Sequence, residues 1–134
     1  MNNMQSSEFD QRDLPISQWQ INGLDLAGAL ETFGDEEIVL DILGVFVSET
    51  PDLLNQIRNV TEDNLTDYMV IIHGIKGSCR GIMAEPLAIR AEMLEHAAKS
   101  GDLKYIKEHN QEFISDMETF LGSLNEKLEL IPIS

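Results

Sequence analysis

The chain of 134 residues has one cysteine, Cys79. A single thiol excludes an intramolecular disulfide and paired zinc-type cysteines, and it fits a reducing compartment. Basic residues are scarce: nine Lys and Arg face 24 Asp and Glu, for a net charge of −15. Such a chain repels nucleic acid and anionic membrane surfaces, so neither is expected as a partner. No apolar run approaches the 18 or so residues of a membrane helix, and the polar start of the chain does not read as a signal peptide. A cytoplasmic protein is the expectation. Without a secretion signal, Asn59-Val60-Thr61 and Asn64-Leu65-Thr66 read as coincidental matches to the glycosylation triplet. There is no glycine-rich phosphate loop and no G-x-S-x-G elbow, and nowhere does the sequence alternate as a strand does.

What is present is helical periodicity over a length that suits one domain. Residues 1–20, rich in Asn, Gln, Ser and Asp, read as a flexible N-terminal segment, with Leu14, Ile16 and Trp19 as candidate anchors near its end. A short helix is expected from Asp25 to Phe33, with Asp25 as cap and Gly34 as stop. The next begins near Asp35, with Ile38, Ile42, Val45, Phe46, Leu53, Ile57 and Val60 in helical register. Pro51 either kinks it or opens a second segment capped by Thr50. Asn64 and Asp67 read as the N-cap and third-position pair of a following helix. Pro86 opens another, in which Leu87, Ala91, Leu94 and Ala98 form a stripe while Glu92, Glu95 and His96 face outward. A Ser100-Gly101-Asp102 turn leads to the last helix, which runs to Leu128. Long helices joined by short turns imply an all-α, antiparallel up-and-down four-helix bundle over 21–130, with a short additional N-terminal helix.

The chain is organised around residues 70–82. Stepped at about 100° per residue, Tyr68, Ile72, Ile75, Cys79 and Ile82 share an apolar stripe, with Leu65 and Ile71 at its margins. His73, Lys76, Gly77 and Arg80 fall on the opposite, solvent-facing side. Gly74, Gly77 and Gly81 lie within the helix pattern, where together they cost roughly 3 kcal/mol against alanine. The gain that offsets this is access: without a Cβ, a partner can press onto the surface beside His73. From Tyr68 to Ala84 there is no acid, although a stretch of this length would carry about three at the chain's own frequency. Lys76 and Arg80 therefore make the His73 face a small basic island. An exposed imidazole is a competent nucleophile and leaving group near neutral pH. A phosphoryl group on its ring would bring about two negative charges, each stabilised by about 1–4 kcal/mol by a lysine about 4 Å away.

His73-Gly74-Ile75-Lys76-Gly77-Ser78 resembles the H-x-[LI]-K-G-[SA] signature of the histidine-containing phosphotransfer (HPt) domains. The segments 33–37, 46–54 and 94–102 also resemble that family's flanking segments in order and spacing, so that the likeness spans residues 22–128. One position departs. Ten residues after the histidine, where the family often has Gly, stands Met83. The resemblance favours a single kinked helix at Pro51. It further implies that His73 accepts a phosphoryl group on its distal ring nitrogen from the phospho-aspartate of a response-regulator receiver domain and passes it to another receiver aspartate. Lys76 would hold the phosphoryl oxygens. Gly77, Arg80, Gly74 and Gly81 would form the docking surface, and Ser78, turned away from His73, would have at most an orienting role. Partners would be receiver domains or a hybrid sensor histidine kinase. The chain would be a monomeric carrier rather than an enzyme, with no cofactor or metal of its own, because Mg²⁺ and the acid pocket belong to the receiver.

Three other readings compete, of which one, a bland structural bundle, leaves the three glycines unexplained. A kinase dimerisation domain also carries a histidine on a bundle helix, but uses two helices per subunit where this chain has enough for four. A module that binds receivers without phosphotransfer would not need the imidazole. Elsewhere, His96 and Glu92 are only two ligands on an acidic surface and make a poor metal site. His109 reads as structural or solvated, Cys79 as buried packing, and the methionines as core filler.

Overall fold

A computed structural model describes Ile16 and residues 19–129. The described residues contain helices and turns and no strand. Five α-helices follow in order: α1 (Leu26–Phe33), α2 (Glu36–Gln56), α3 (Leu65–Gly81), α4 (Glu85–Lys99) and α5 (Leu103–Glu129), with a 3₁₀ turn at Glu62–Asn64 before α3. The four long helices form an up-and-down bundle in which α4 packs on α3 and on α5, while α2 closes the other side against α5 and α3. The short α1 lies against α2. None of these helices is long and apolar enough to cross a membrane.

The helix ends follow their capping residues. The Asp25 carboxylate accepts the Gly28 amide at 2.9 Å, and Gly34 closes α1 in a left-handed conformation, φ +76°. Asp35 accepts the Glu37 amide at 2.8 Å to open α2, with Glu36 and Glu37 at the positive end of the helix dipole. Asp102 accepts the Tyr105 amide at 3.0 Å and opens α5 after the Gly101 turn. At α3 the cap differs from expectation. The Asn64 side chain is spent one turn upstream, accepting the Thr61 amide at 2.8 Å and donating to the Asn59 carbonyl at 2.7 Å. It therefore holds the 3₁₀ turn and makes no side-chain cap on α3 itself.

Of the two possibilities at Pro51, the chain adopts one continuous helix. Pro51 is exposed, so the carbonyl of Val47 that lacks its helical donor costs little. The buried face of α2 is Val39, Leu43, Phe46, Thr50 and Leu54, followed by Ile57. Ile38 and Val45, expected in the core, are exposed. The helix is apolar over more than half its circumference, and tertiary packing chose the stripe one residue on. Met93 is also exposed, against the expectation for methionine, whereas Met117 is buried.

The core is built from α2, α3, α4 and α5, with Leu43, Ile72, Ile75, Leu94, Phe113 and Met117 among its most enclosed side chains. Phe46 and Phe120 meet edge to face, centroids 6.0 Å apart, and join α2 to α5. Tyr68 of α3 donates to Asn110 of α5 at 2.8 Å, and Asn110 donates to the Ile57 carbonyl at 2.7 Å. This buried chain ties the start of the motif helix to α5 and satisfies a carbonyl at the end of α2. In the N-terminal segment, Ile16 and Trp19 are buried, and the Trp19 amide donates to the Ile16 carbonyl at 3.0 Å. Leu14 lies outside the described residues.

Candidate functional site

The stripe of α3 is buried as its spacing requires: Tyr68, Ile72, Ile75 and Cys79 all face the core, followed by Ile82. Burial pushes the Cys79 thiol up to about 12, which removes it as a nucleophile. His73 is on the other side, its side chain 64% exposed. Gly74, Gly77 and Gly81 line the same exposed flank, and a Cβ placed on any of them would meet no atom within 4 Å. Nothing among the described residues requires these glycines. Val70, also exposed, stands three residues before His73 and in line with Gly74, Gly77 and Gly81. Between α2 and α3, a groove of about 240 Å³ is bordered by Ile42, Val45, Glu49, Ser78 and Gly81. The glycine flank therefore continues into a partly apolar surface, and Ser78 belongs to that groove.

The histidine has a partner that helical periodicity did not reveal. Glu95 of α4, expected to face water, is buried between α4 and α3, with its side chain only 4% exposed. Its Oε2 lies 2.6 Å from His73 Nδ1. Its Oε1 accepts from Lys76 Nζ at 2.8 Å, and Lys99 Nζ stands 3.4 Å from Oε2. Burial works against the charge on Glu95, but hydrogen bonds from Lys76, His73 and Lys99 outweigh it and draw the carboxyl down to about 2. Glu95 is therefore a carboxylate at any physiological pH and can only accept. The hydrogen between it and His73 resides on Nδ1, and the lone pair of the neutral ring is on Nε2. Among the described residues Nε2 has no partner. A signal for Glu95 existed: it follows Ala91 by four residues and precedes Ala98 by three, so it borders the buried stripe of α4.

The basic island is not bare. Lys76, 18% exposed, is paired with Glu95. Arg80 makes a two-pronged contact with Glu85 at 3.0–3.2 Å and reaches Glu92 at 3.5 Å. Hydrogen bonding to Glu85, with the attraction of Glu85 and Glu92, raises its already high pKa. The acids absent from residues 68–84 are supplied by α4, whose Glu85, Glu92 and Glu95 neutralise the cations of the motif helix. As a docking residue, Arg80 would have to exchange those carboxylates for a partner's.

Met83 occupies the turn from α3 to α4 with φ +69°, the only non-glycine among the described residues in the left-handed region. The departure from glycine noted in the sequence thus falls on a backbone conformation that glycine adopts freely. The turn keeps it because its surroundings fix it: the Met83 carbonyl accepts the Asp25 amide at 3.0 Å, its amide donates to the Arg80 carbonyl at 3.1 Å, and its side chain packs on the core.

Searches of the curated proteins and of the solved structures returned no match. A scan against protein-family profiles matched the Hpt domain over residues 41–121, which takes in α3, α4, most of α2 and two thirds of α5 and contains His73, Lys76, Glu95 and Lys99. The match covers more than half the chain, and the chain belongs to the Hpt domain family, the phosphocarrier modules of two-component phosphorelays.

Proposed function

We propose that this protein is a cytoplasmic phosphorelay intermediate that carries a phosphoryl group on His73 Nε2 between receiver domains. The observation that carries this reading is the His73–Glu95 pair: an exposed ring whose inner nitrogen is bound to a buried carboxylate and whose outer nitrogen has no partner among the described residues. In the transfer, the Nε2 lone pair attacks the phosphorus of the receiver's aspartyl phosphate. The N–P bond forms, the P–O bond to the aspartate breaks, and its electron pair leaves with the carboxylate. The proton stays on Nδ1, so the phosphorylated ring is an imidazolium whose charge Glu95 offsets. The reverse sequence delivers the group to the next receiver.

The residues around His73 have separable roles. Lys76 adds a positive charge three residues from the ring and remains bound to Glu95. Gly77, with Gly74 and Gly81, leaves the backbone open to a receiver, and Val70 with the groove beside Ser78 supplies apolar contact. Arg80 contributes by exchanging its intramolecular carboxylates for those at the rim of the receiver's acidic pocket. Transition-state stabilisation and Mg²⁺ come from the receiver. Four long helices from one chain close a single core, which favours a monomeric carrier over a dimerising kinase domain.

The test is incubation with a phosphorylated receiver and Mg²⁺. Wild-type protein should acquire an acid-labile, base-stable phosphate, and His73→Gln should acquire none. A His73→Gln protein that keeps full signalling activity in cells would instead make this a receiver-binding module.

A further inference from the structure

Glu95 gathers more positive charge than one carboxylate neutralises. Lys76 and Lys99 both contact it, and the His73 ring occupies a third place, so the cluster at rest carries a surplus of one positive charge. The two lysines are held differently. Lys76 is largely enclosed and has Oε1 to itself at 2.8 Å. Lys99 is 59% exposed and stands at 3.4 Å from Oε2, an oxygen already engaged at 2.6 Å by His73 Nδ1. Because both contacts meet at Oε2, Lys99 Nζ is no farther from Nδ1 than the sum of those two distances. Its stem has four rotatable bonds and leaves the last turn of α4 toward solvent.

We propose that Lys99 is a second phosphoryl-binding cation of this site, resting on Glu95 until His73 is loaded and then moving onto the phosphoryl oxygens while Lys76 stays on Glu95. The inference rests on the carrier reading. Leaving Glu95 is cheap, since the carboxylate keeps two shorter contacts. A phosphoryl group offers nearly two negative charges and three acceptor oxygens in exchange. Only hydrogen bonds change in this step.

The experiment loads His73 with potassium phosphoramidate, from which the phosphoryl group passes to nitrogen as ammonia leaves, and follows the phosphohistidine by ³¹P NMR against pH. A cation in contact with the phosphoryl group, about 4 Å from its phosphorus, lowers its second pKa by about three quarters of a unit in a solvent-like dielectric. Lys99→Gln should therefore raise that pKa by about three quarters of a unit and Lys99→Arg should restore it. Lys104→Gln, which removes an exposed lysine at the start of α5, should leave it unchanged. An unchanged titration in Lys99→Gln, or an equal shift in Lys104→Gln, overturns the proposal. If wild type yields no phosphohistidine signal at all, the carrier reading falls first.

Discussion

Replacing Gly77 by alanine should make the protein more stable and less active. Gly77 is the thirteenth of the 17 residues of α3, in its interior. A Cβ there meets nothing within 4 Å among the described residues, so the substitution brings no steric cost from them in the free protein. The expected gain is the difference in helix propensity, about 1 kcal/mol. For a domain of this size it raises the melting temperature by about 3–5 °C. On the carrier reading, the same methyl projects into the face against which a receiver packs. Overfilling a tight contact costs about 1–3 kcal/mol, so the apparent second-order rate of phosphotransfer from a phosphorylated receiver should fall by about 5- to 100-fold. Gly122→Ala is the internal control. Gly122 is an exposed interior residue of α5 with the same open surroundings, and its alanine variant should gain similar stability with transfer intact. Thermal melts and transfer measured below receiver saturation, on all three proteins, decide the matter. If Gly77→Ala is stabilised and transfers phosphate like wild type, the glycine does not serve access. If it is destabilised, the helix there is not free of internal constraint.

Other expectations follow from single features of the structure. The Glu95 carboxyl is drawn from 4.5 to about 2 on folding, so its contribution is complete above pH 4.5 and is lost as pH falls from there toward 2. Over that window wild type should lose roughly 3 kcal/mol that Glu95→Gln does not, read from urea unfolding at stepped pH. At Met83, with its positive φ, the glycine variant should be more stable than the alanine variant by about 1 kcal/mol, the reverse of their order inside a helix. Tyr68→Phe should cost about 1–3 kcal/mol in chemical denaturation, because it leaves the buried Asn110 oxygen without its donor.

The sequence made α3 legible because its apolar side chains occupy one narrow stripe and its other face is polar or bare. It made α1 and the start of α2 legible through Asp25, Gly34 and Asp35, whose local geometry decides the helix ends. Where a helix is apolar on two sides, periodicity cannot choose between them, and in α2 the packing of α5 and α3 selected Val39, Leu43 and Phe46 over Ile38 and Val45. Asn64 satisfied a capping pattern and then used its side chain one turn earlier, since short polar side chains have several backbone partners within reach. Glu95 was missed for a different reason. A periodicity scheme treats a glutamate as outward-facing, and what buries this one is the arrival of His73, Lys76 and Lys99 from two helices. Such pairing belongs to tertiary structure.

Several features that cost folding energy adjoin α3: the glycines Gly74, Gly77 and Gly81, a left-handed methionine and a buried carboxylate. On the carrier reading this distribution has an electrostatic purpose. Before transfer, Glu95, Lys76, Lys99 and the neutral ring sum to one positive charge, and Arg80 is already balanced by Glu85 and Glu92. After transfer the ring gains one positive charge and the phosphoryl group brings two negative ones, so the loaded cluster is formally neutral. A site with more free cations would bind the phosphoryl group too tightly to pass it on, and a site with fewer would not attract it from a receiver. On that reading Glu95 sets the balance, because it absorbs one lysine charge and the imidazolium's hydrogen bond and so leaves the loaded site no surplus cation to trap the phosphoryl group.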